Sequence, residues 1–148
     1  MIISLANQKG GVGKSTCAIN ISAGLAMAGN KVLLVDMDSQ AHAGKGLGIN
    51  VHTLVKSISD VLTSRKPDIK EVIAPTYIEN LDIAPSDIRL ARAEQLLSAM
   101  TGKEFVLQRA LRSVVKKYDF ILIDCPPSLG NLTIAALVAS TTSLSPVK

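Results

Sequence analysis

A run of small and basic residues, Gly10-Gly11-Val12-Gly13-Lys14-Ser15-Thr16, lies between a short apolar stretch, Ile2 to Ala6, and a helix-like stretch, Cys17 to Ala28. Glycines carry no Cβ, so the backbone can curl and bring its N–H groups close to phosphate oxygens. A helix starting at that point aims its positive end at the same place. Lys14 adds an ammonium where β- and γ-phosphates would lie, and Ser15 offers a hydroxyl ligand for Mg²⁺. Strand, glycine loop and helix in this order, with a GK[ST] ending, are what a phosphate-binding loop needs; a glycine turn with a chance lysine requires none of that context.

Two further apolar runs end in carboxylates. Lys31 to Asp36 reads as a buried parallel strand and continues into Met37-Asp38-Ser39-Gln40. Asp119 to Asp124 reads as another, its apolar residues closing on Asp124 as in a Walker B element that holds Mg²⁺ through a water. Ligands of open α/β sheets sit beyond the carboxyl ends of strands, so Asp36, Asp38 and Asp124 should face the phosphate site of Lys14. Asp36 and Asp38 can also be read as ordinary loop carboxylates, and His42 as a solvated loop histidine. Cys17 and Cys125 flank the same site without metal-ligand spacing, as core or loop fillers.

The elements that must position these groups follow from composition and punctuation. The 148 residues fit one domain, 1–148, with a real core. Hydrophobic residues make up 47% and aromatics only 3%, so Ile, Leu, Val and Ala must build the interior. That suits a mainly parallel sheet with helices on both faces, an α/β fold. Helix expectations are 15–28, stopped by Gly29-Asn30; 53–64, with apolar 54, 58, 61 and 62; 88–100, broken at Thr101-Gly102; 103–117; and 131–139. In the first of these Ala18, Ile21, Ser22, Leu25 and Ala26 form a small-residue face. In the fourth Leu107, Ala110, Leu111, Val114 and Val115 form the buried side, while Arg109, Arg112 and Lys116 make a positive stripe. The stripe reads as a solvated face, or as a contact for nucleic acid or acidic lipid. A short strand is expected at Leu81 to Pro85.

The net charge of +4 mildly favours anionic partners. The chain shows no signal peptide and no run of roughly 20 apolar residues. Two cysteines suggest a reducing compartment. The expected location is cytoplasmic.

Three motifs in order, KGGVGKST, VDMDSQ and ILIDCPPS, resemble those of the ParA/Soj partitioning ATPases, members of the ParA/MinD superfamily with a deviant Walker A motif. The resemblance implies a P-loop NTPase fold with ATP and Mg²⁺ as cofactors. The nucleotide contacts it implies are Lys9, Gly10, Gly11, Val12, Gly13, Lys14, Ser15 and Thr16. Metal contacts are Ser15, Asp36, Asp38 and Asp124. It makes Lys9 a residue that reaches across a dimer interface to the partner's nucleotide, although Lys9 can also act only through its positive field in the loop. Asp38 then orients the attacking water, Asp36 supports the strand end and the Mg²⁺ shell, and Lys14 is catalytic as well as binding. Segments 38–46 and 124–130 correspond to switch I and switch II.

The implied cycle is an ATP-dependent homodimer on non-specific DNA, at the nucleoid, with hydrolysis stimulated by a ParB-type partner. Its purpose is chromosome or plasmid partitioning. A MinD-like ATPase at a membrane surface is the alternative within the superfamily, although no stable membrane anchor is visible. A nucleotide-binding fragment without turnover is the alternative outside it. Members of the family run further, so adenine and DNA contacts are expected beyond Lys148. The early position of the loop leaves no room for an N-terminal helix-turn-helix domain. Ser140-Thr141-Thr142 stands where the family usually has an Ala-Asp run, and Ser145 falls in what the resemblance makes an apolar strand.

Overall fold

The computed structural model describes residues 1–7, 9 and 13–146. One six-stranded sheet organises them. Its strands are β1 (Ile2–Leu5), β2 (Val32–Asp36), β3 (Ala74–Pro75), β4 (Leu81–Ala84), β5 (Phe120–Asp124) and β6 (Thr142–Leu144), in the spatial order β3-β4-β2-β5-β1-β6. All pairings are parallel except β3 with β4. β5 therefore inserts between β1 and β2, the two strands that carry the first two candidate motifs.

Alternation along the strands divides the core into two layers. Ile3, Leu5, Val32, Leu34 and Leu122 face α1 (Lys14–Met27) and α2 (His42–Gly46), which contribute Ala18, Ala26 and Ala43. Leu33, Val35, Ile121 and Ile123 face the other layer. There they meet α3 (Ile58–Leu62), α4 (Leu90–Ser98), α5 (Val106–Leu111) and α6 (Asn131–Ala139). Central strands buried on both sides explain why they read as continuous apolar runs.

Several expected elements differ in extent. The helix expected over 53–64 is a 3₁₀ turn at Val51–Thr53 followed by α3. Ser57 starts α3 with a capping box: its amide donates to Asp60 Oδ2 at 2.8 Å, and its hydroxyl accepts from Ser59 N. On α1, Ala18, Ser22 and Ala26 are buried, whereas Ile21 and Leu25 are half-buried. The helix expected over 103–117 begins as a 3₁₀ turn, is α-helical only to Leu111, and then tightens into turns. Amides of Arg112, Val114 and Lys117 bond three residues back, to Arg109, Leu111 and Val114. Ser113, Val114 and Val115 are weak helix formers, and these three-residue bonds, mixed with the four-residue bond from Val115 N to Leu111 O, break the regular helical register. Val115 is consequently exposed rather than part of the buried side. Arg109, Arg112 and Lys116 are exposed as expected.

Two short elements had no clear sequence signal. β3 contains a proline and sits at the sheet edge, and α2 is built from His42-Ala43-Gly44-Lys45-Gly46. At the opposite edge β6 is exposed along its length. The Thr141 hydroxyl helps to hold it, donating to Ile2 O at 2.8 Å and accepting from Ile2 N at 3.1 Å.

Removing the cap hydroxyl with Ser57→Ala should destabilise the protein by about 1 kcal/mol. The expected readout is a lower urea midpoint with an unchanged m-value; an unchanged midpoint would show that the cap contributes nothing.

Candidate functional site

The carboxyl ends of β1, β2 and β5 converge. β1 leads through Ala6 and Asn7 into the glycine run, of which Gly10, Gly11 and Val12 lie outside the described residues. Asn7 steadies the entrance: its Oδ1 accepts from Lys9 N at 2.9 Å, and its Nδ2 donates to Pro146 O at 3.0 Å. Lys9 is exposed there. The run ends at Gly13, whose φ of +80° is a left-handed conformation that side chains rarely tolerate. Cys17 N donates to Gly13 O, so α1 begins immediately.

Lys14 is only 7% exposed, held in the first turn of α1. Gly13, Lys14, Ser15 and Thr16 form one wall of a cleft of about 530 Å³, with Asp38, Gln40 and His42 opposite and Pro127 from the loop after β5. One hydrogen bond links the wall to the sheet: the Ser15 hydroxyl donates to Asp124 Oδ2 at 2.6 Å. The other oxygen, Asp124 Oδ1, is buried without a hydrogen-bond partner among the described residues. An unsatisfied buried carboxylate oxygen calls for a cation or water.

Asp36 and Asp124 are register partners on adjacent strands, and both are buried. Burial, and then the neighbouring Asp124, push Asp36 up to about 8. Its oxygens accept from Asp38 N at 3.0 Å and Gly44 N at 3.4 Å, which pins the loop after β2 against the strand end. Asp124 is pushed up to about 6 by burial, while the Ser15 bond and the Lys14 charge pull the other way. Burial and the same carboxylate raise the Cys125 thiol to about 12, so it is inert packing at neutral pH.

Asp38 is half-buried and lines the cleft; its Oδ1 accepts from Gln40 N at 3.0 Å, shaping the turn. Among the described residues no three His, Cys, Asp or Glu side chains gather into a metal cage. A Mg²⁺ shared with phosphates asks for less, one or two protein oxygens with waters, and Ser15 with Asp124 fits that donor set.

Sequence reasoning did not assign roles to Ser86 or Glu94. Ser86 is fully buried, and its hydroxyl donates to the carbonyl of Asp38. Glu94, on α4, accepts from Leu132 N at 3.2 Å. Pro85-Ser86 at a strand end was the available signal for the first; nothing local marks the second.

A sheet of this order with a phosphate-loop helix and strand-end carboxylates defines the P-loop NTPase fold. Residues 1–148 match the family model described as an AAA domain (AAA_31), and the chain belongs to that family. It is 48% identical over 147 residues to the sporulation initiation inhibitor protein Soj of Bacillus subtilis (strain 168), covering 99% of this chain and 58% of Soj. To the chromosome partitioning protein ParA of Myxococcus xanthus (strain DK1622) it is 46% identical, covering 99% of this chain and 52% of that protein. The motif resemblance to ParA/Soj ATPases therefore extends along the whole chain. Among solved structures, cobyrinic acid a,c-diamide synthase from Mycobacterium smegmatis with bound ATP analog and magnesium superposes with a TM-score of 0.93 at 38% identity. That match covers 99% of this chain and 59% of the synthase. The chain thus spans little more than half the length of these relatives.

The buried carboxylates set a pH dependence. A carboxyl whose folded-state value is raised favours the fold when protonated. The unfolded chain releases this proton near pH ~4 and the fold holds it to about 8, so stability declines as pH rises through that window and levels off above it. In metal-free protein, Asp36→Asn should flatten the fall in urea midpoint between pH 5 and pH 8. An identical slope in the variant would assign the dependence to other groups.

Proposed function

We propose that this chain is the nucleotide-binding part of a ParA/Soj-type ATPase. It takes Mg-ATP in the cleft between α1 and the loop after β2. In the ATP state it pairs with a second copy, sits on DNA without sequence preference, and hydrolyses ATP under the stimulus of a ParB-type partner. The work done is chromosome or plasmid partitioning, in the cytoplasm at the nucleoid. The observation that carries this reading is the Ser15–Asp124 pair: a hydroxyl and a buried carboxylate joined at 2.6 Å, with one carboxylate oxygen left over, beside the Lys14 ammonium. Similarity to Soj and to ParA of Myxococcus xanthus supports the partitioning role. Among the described residues no helix is long and apolar enough to cross a membrane.

The residues take these parts. The loop from Gly10 to Gly13 and the first turn of α1 hold the phosphates through backbone N–H groups, with Thr16 at the cleft wall. Lys14 counters the charge of the terminal phosphates. Ser15 and Asp124 are the cation ligands, and Asp36 and Asp38 flank them from the end of β2. A bound Mg²⁺ would neutralise charge developing on the phosphate oxygens. Asp38, on the open side of the cleft, orients the attacking water. Lys9, exposed at the loop entrance, supplies positive charge in trans to the nucleotide of a second copy, as an arginine finger does.

Two variants test the assignment. Lys14→Ala should weaken fluorescent-ATP binding by about 100-fold. Asp38→Ala should bind within about threefold of wild type yet lose about 100-fold in DNA- and partner-stimulated turnover, the usual range for a group that handles the reacting proton or water. Absence of saturable Mg-ATP binding by the unaltered protein would sink the reading. Full turnover by Asp38→Ala would remove that residue from the chemistry.

A further inference from the structure

The two loops that face the cleft come from different strands; Met37 N donates to Asp124 O at 2.8 Å where they leave the sheet, and beyond that point they share no direct hydrogen bond among the described residues. Both are tied to one segment, α4 and the residues that lead into it from β4. The loop after β2 is held at its Asp38 carbonyl by the Ser86 hydroxyl, immediately ahead of α4. That lead-in is itself clamped. Arg89 N–H groups donate to Asp87 at 2.6 to 3.2 Å and to the carbonyls of Leu54 and Val55, and Asp60 lies 3.7 Å from the same guanidinium. The Ala93 amide bonds back to Arg89 O, so the lead-in continues into α4 without a break.

Little more than one turn into α4, Glu94 reaches the start of α6, where the loop after β5 ends. That loop, 125–130, ends at the start of α6. The residue before α6 is Gly130, which has no side chain to cap the helix, and the first turn of α6 contains no acidic residue. Helix starts need an acceptor for their first amides and favour a negative charge there. Glu94 supplies both from another element, its Oε2 accepting from Leu132 N at 3.2 Å. The fit is close: a Cβ on Gly130 would stand 2.9 Å from that oxygen. The Thr133 hydroxyl, one residue on, donates to Ser128 O at 2.6 Å and ties the loop to the same helix start.

We propose that α4 is a strut between the two phosphate-facing loops, with Ser86 holding the one after β2 and Glu94 positioning the one after β5, so that a change in either loop is imposed on the other. A continuous lead-in and helix, anchored to one loop through Ser86 and to the helix start that closes the other through Glu94, is the kind of physical connection through which two segments can share a single state. The inference rests on the nucleotide-binding reading for its trigger, but the Glu94 anchor stands apart from it. Glu94 is a positioning residue, acting through the Leu132 amide.

Hydrogen exchange on the complete chain, without nucleotide and with Mg-ADP or a non-hydrolysable Mg-ATP analogue, tests this. In Glu94→Ala, amides of 130–134 should exchange about tenfold faster without nucleotide, the loss expected for a helix cap, while other segments stay unchanged. Glu94→Gln, which keeps an acceptor but no charge, should fall between. Gly130→Ala, which leaves Glu94 intact and pushes its carboxylate off, should resemble Glu94→Ala. With the analogue, protection should change in both 38–44 and 125–134 of the unaltered protein. In Glu94→Ala only 38–44 should still respond. Unchanged exchange at 130–134 in Glu94→Ala and Gly130→Ala, or a uniform increase across the chain, would overturn the anchor. Both loops responding together in Glu94→Ala would overturn the strut. If the unaltered protein binds no nucleotide, the proposed function fails separately, and the nucleotide-free comparison still decides the anchor.

Discussion

The hydrogen bond from Ser15 to Asp124 is the contact on which the site depends. It joins the first turn of α1 to the last residue of β5, and so fixes the phosphate loop against the centre of the sheet. The carboxylate and ammonium groups of the cleft gather around that junction. Lys14 is one residue before it, and Asp36 lies beside it in register on β2. Asp38 is drawn across the cleft by the backbone that Asp36 pins. Burial at the strand ends pushes both carboxyls toward their protonated forms, and for Asp36 the neighbouring Asp124 adds to the push. A site of this kind is preorganised for positive charge, because the cost of crowding the oxygens is met during folding.

Much of this was legible in the sequence because the informative residues sit at ends of buried strands. Val32 to Asp36 and Phe120 to Asp124 are apolar runs that terminate in a carboxylate, and a carboxylate at the carboxyl end of a parallel strand marks where such a sheet takes its ligand. The glycine run and the GK[ST] ending required the helix that α1 provides. What escaped has physical reasons. α2 forms from glycine-rich sequence of poor helix propensity because Asp36 and neighbouring packing hold it, a tertiary effect. β3 is two residues long and contains proline, below the threshold of any pattern. The segment after Leu111 kept a helical spacing of apolar residues but tightened, so periodicity placed Val115 on the wrong side. Glu94 was invisible because its partner, the Leu132 amide, is 38 residues away.

Polar side chains elsewhere perform tasks that secondary structure alone would leave undone. Thr141 adds hydroxyl bonds to the one its own amide makes to Ile2 O where β6 begins, and Asn7 ties the entrance of the phosphate loop to the backbone leaving β6. Tyr118, at the far end of β5 from Asp124, donates to Asp82 Oδ2 at 2.7 Å and links β5's start to β4. The sheet is thus braced at both ends of its central strand β5.

The strand order also sets when the site can exist. β1 and β2 are separated by β5, so without it their ends stand two strand spacings apart, roughly 10 Å, with nothing between them. The phosphate loop and the first carboxylates are made early on a growing chain, yet they cannot face each other until residues 120–124 arrive and slot between. Formation of the cleft is a late, long-range step of the slow kind that non-local parallel pairing imposes. A ligand of this cleft could therefore reward the finished fold but could not template its beginning.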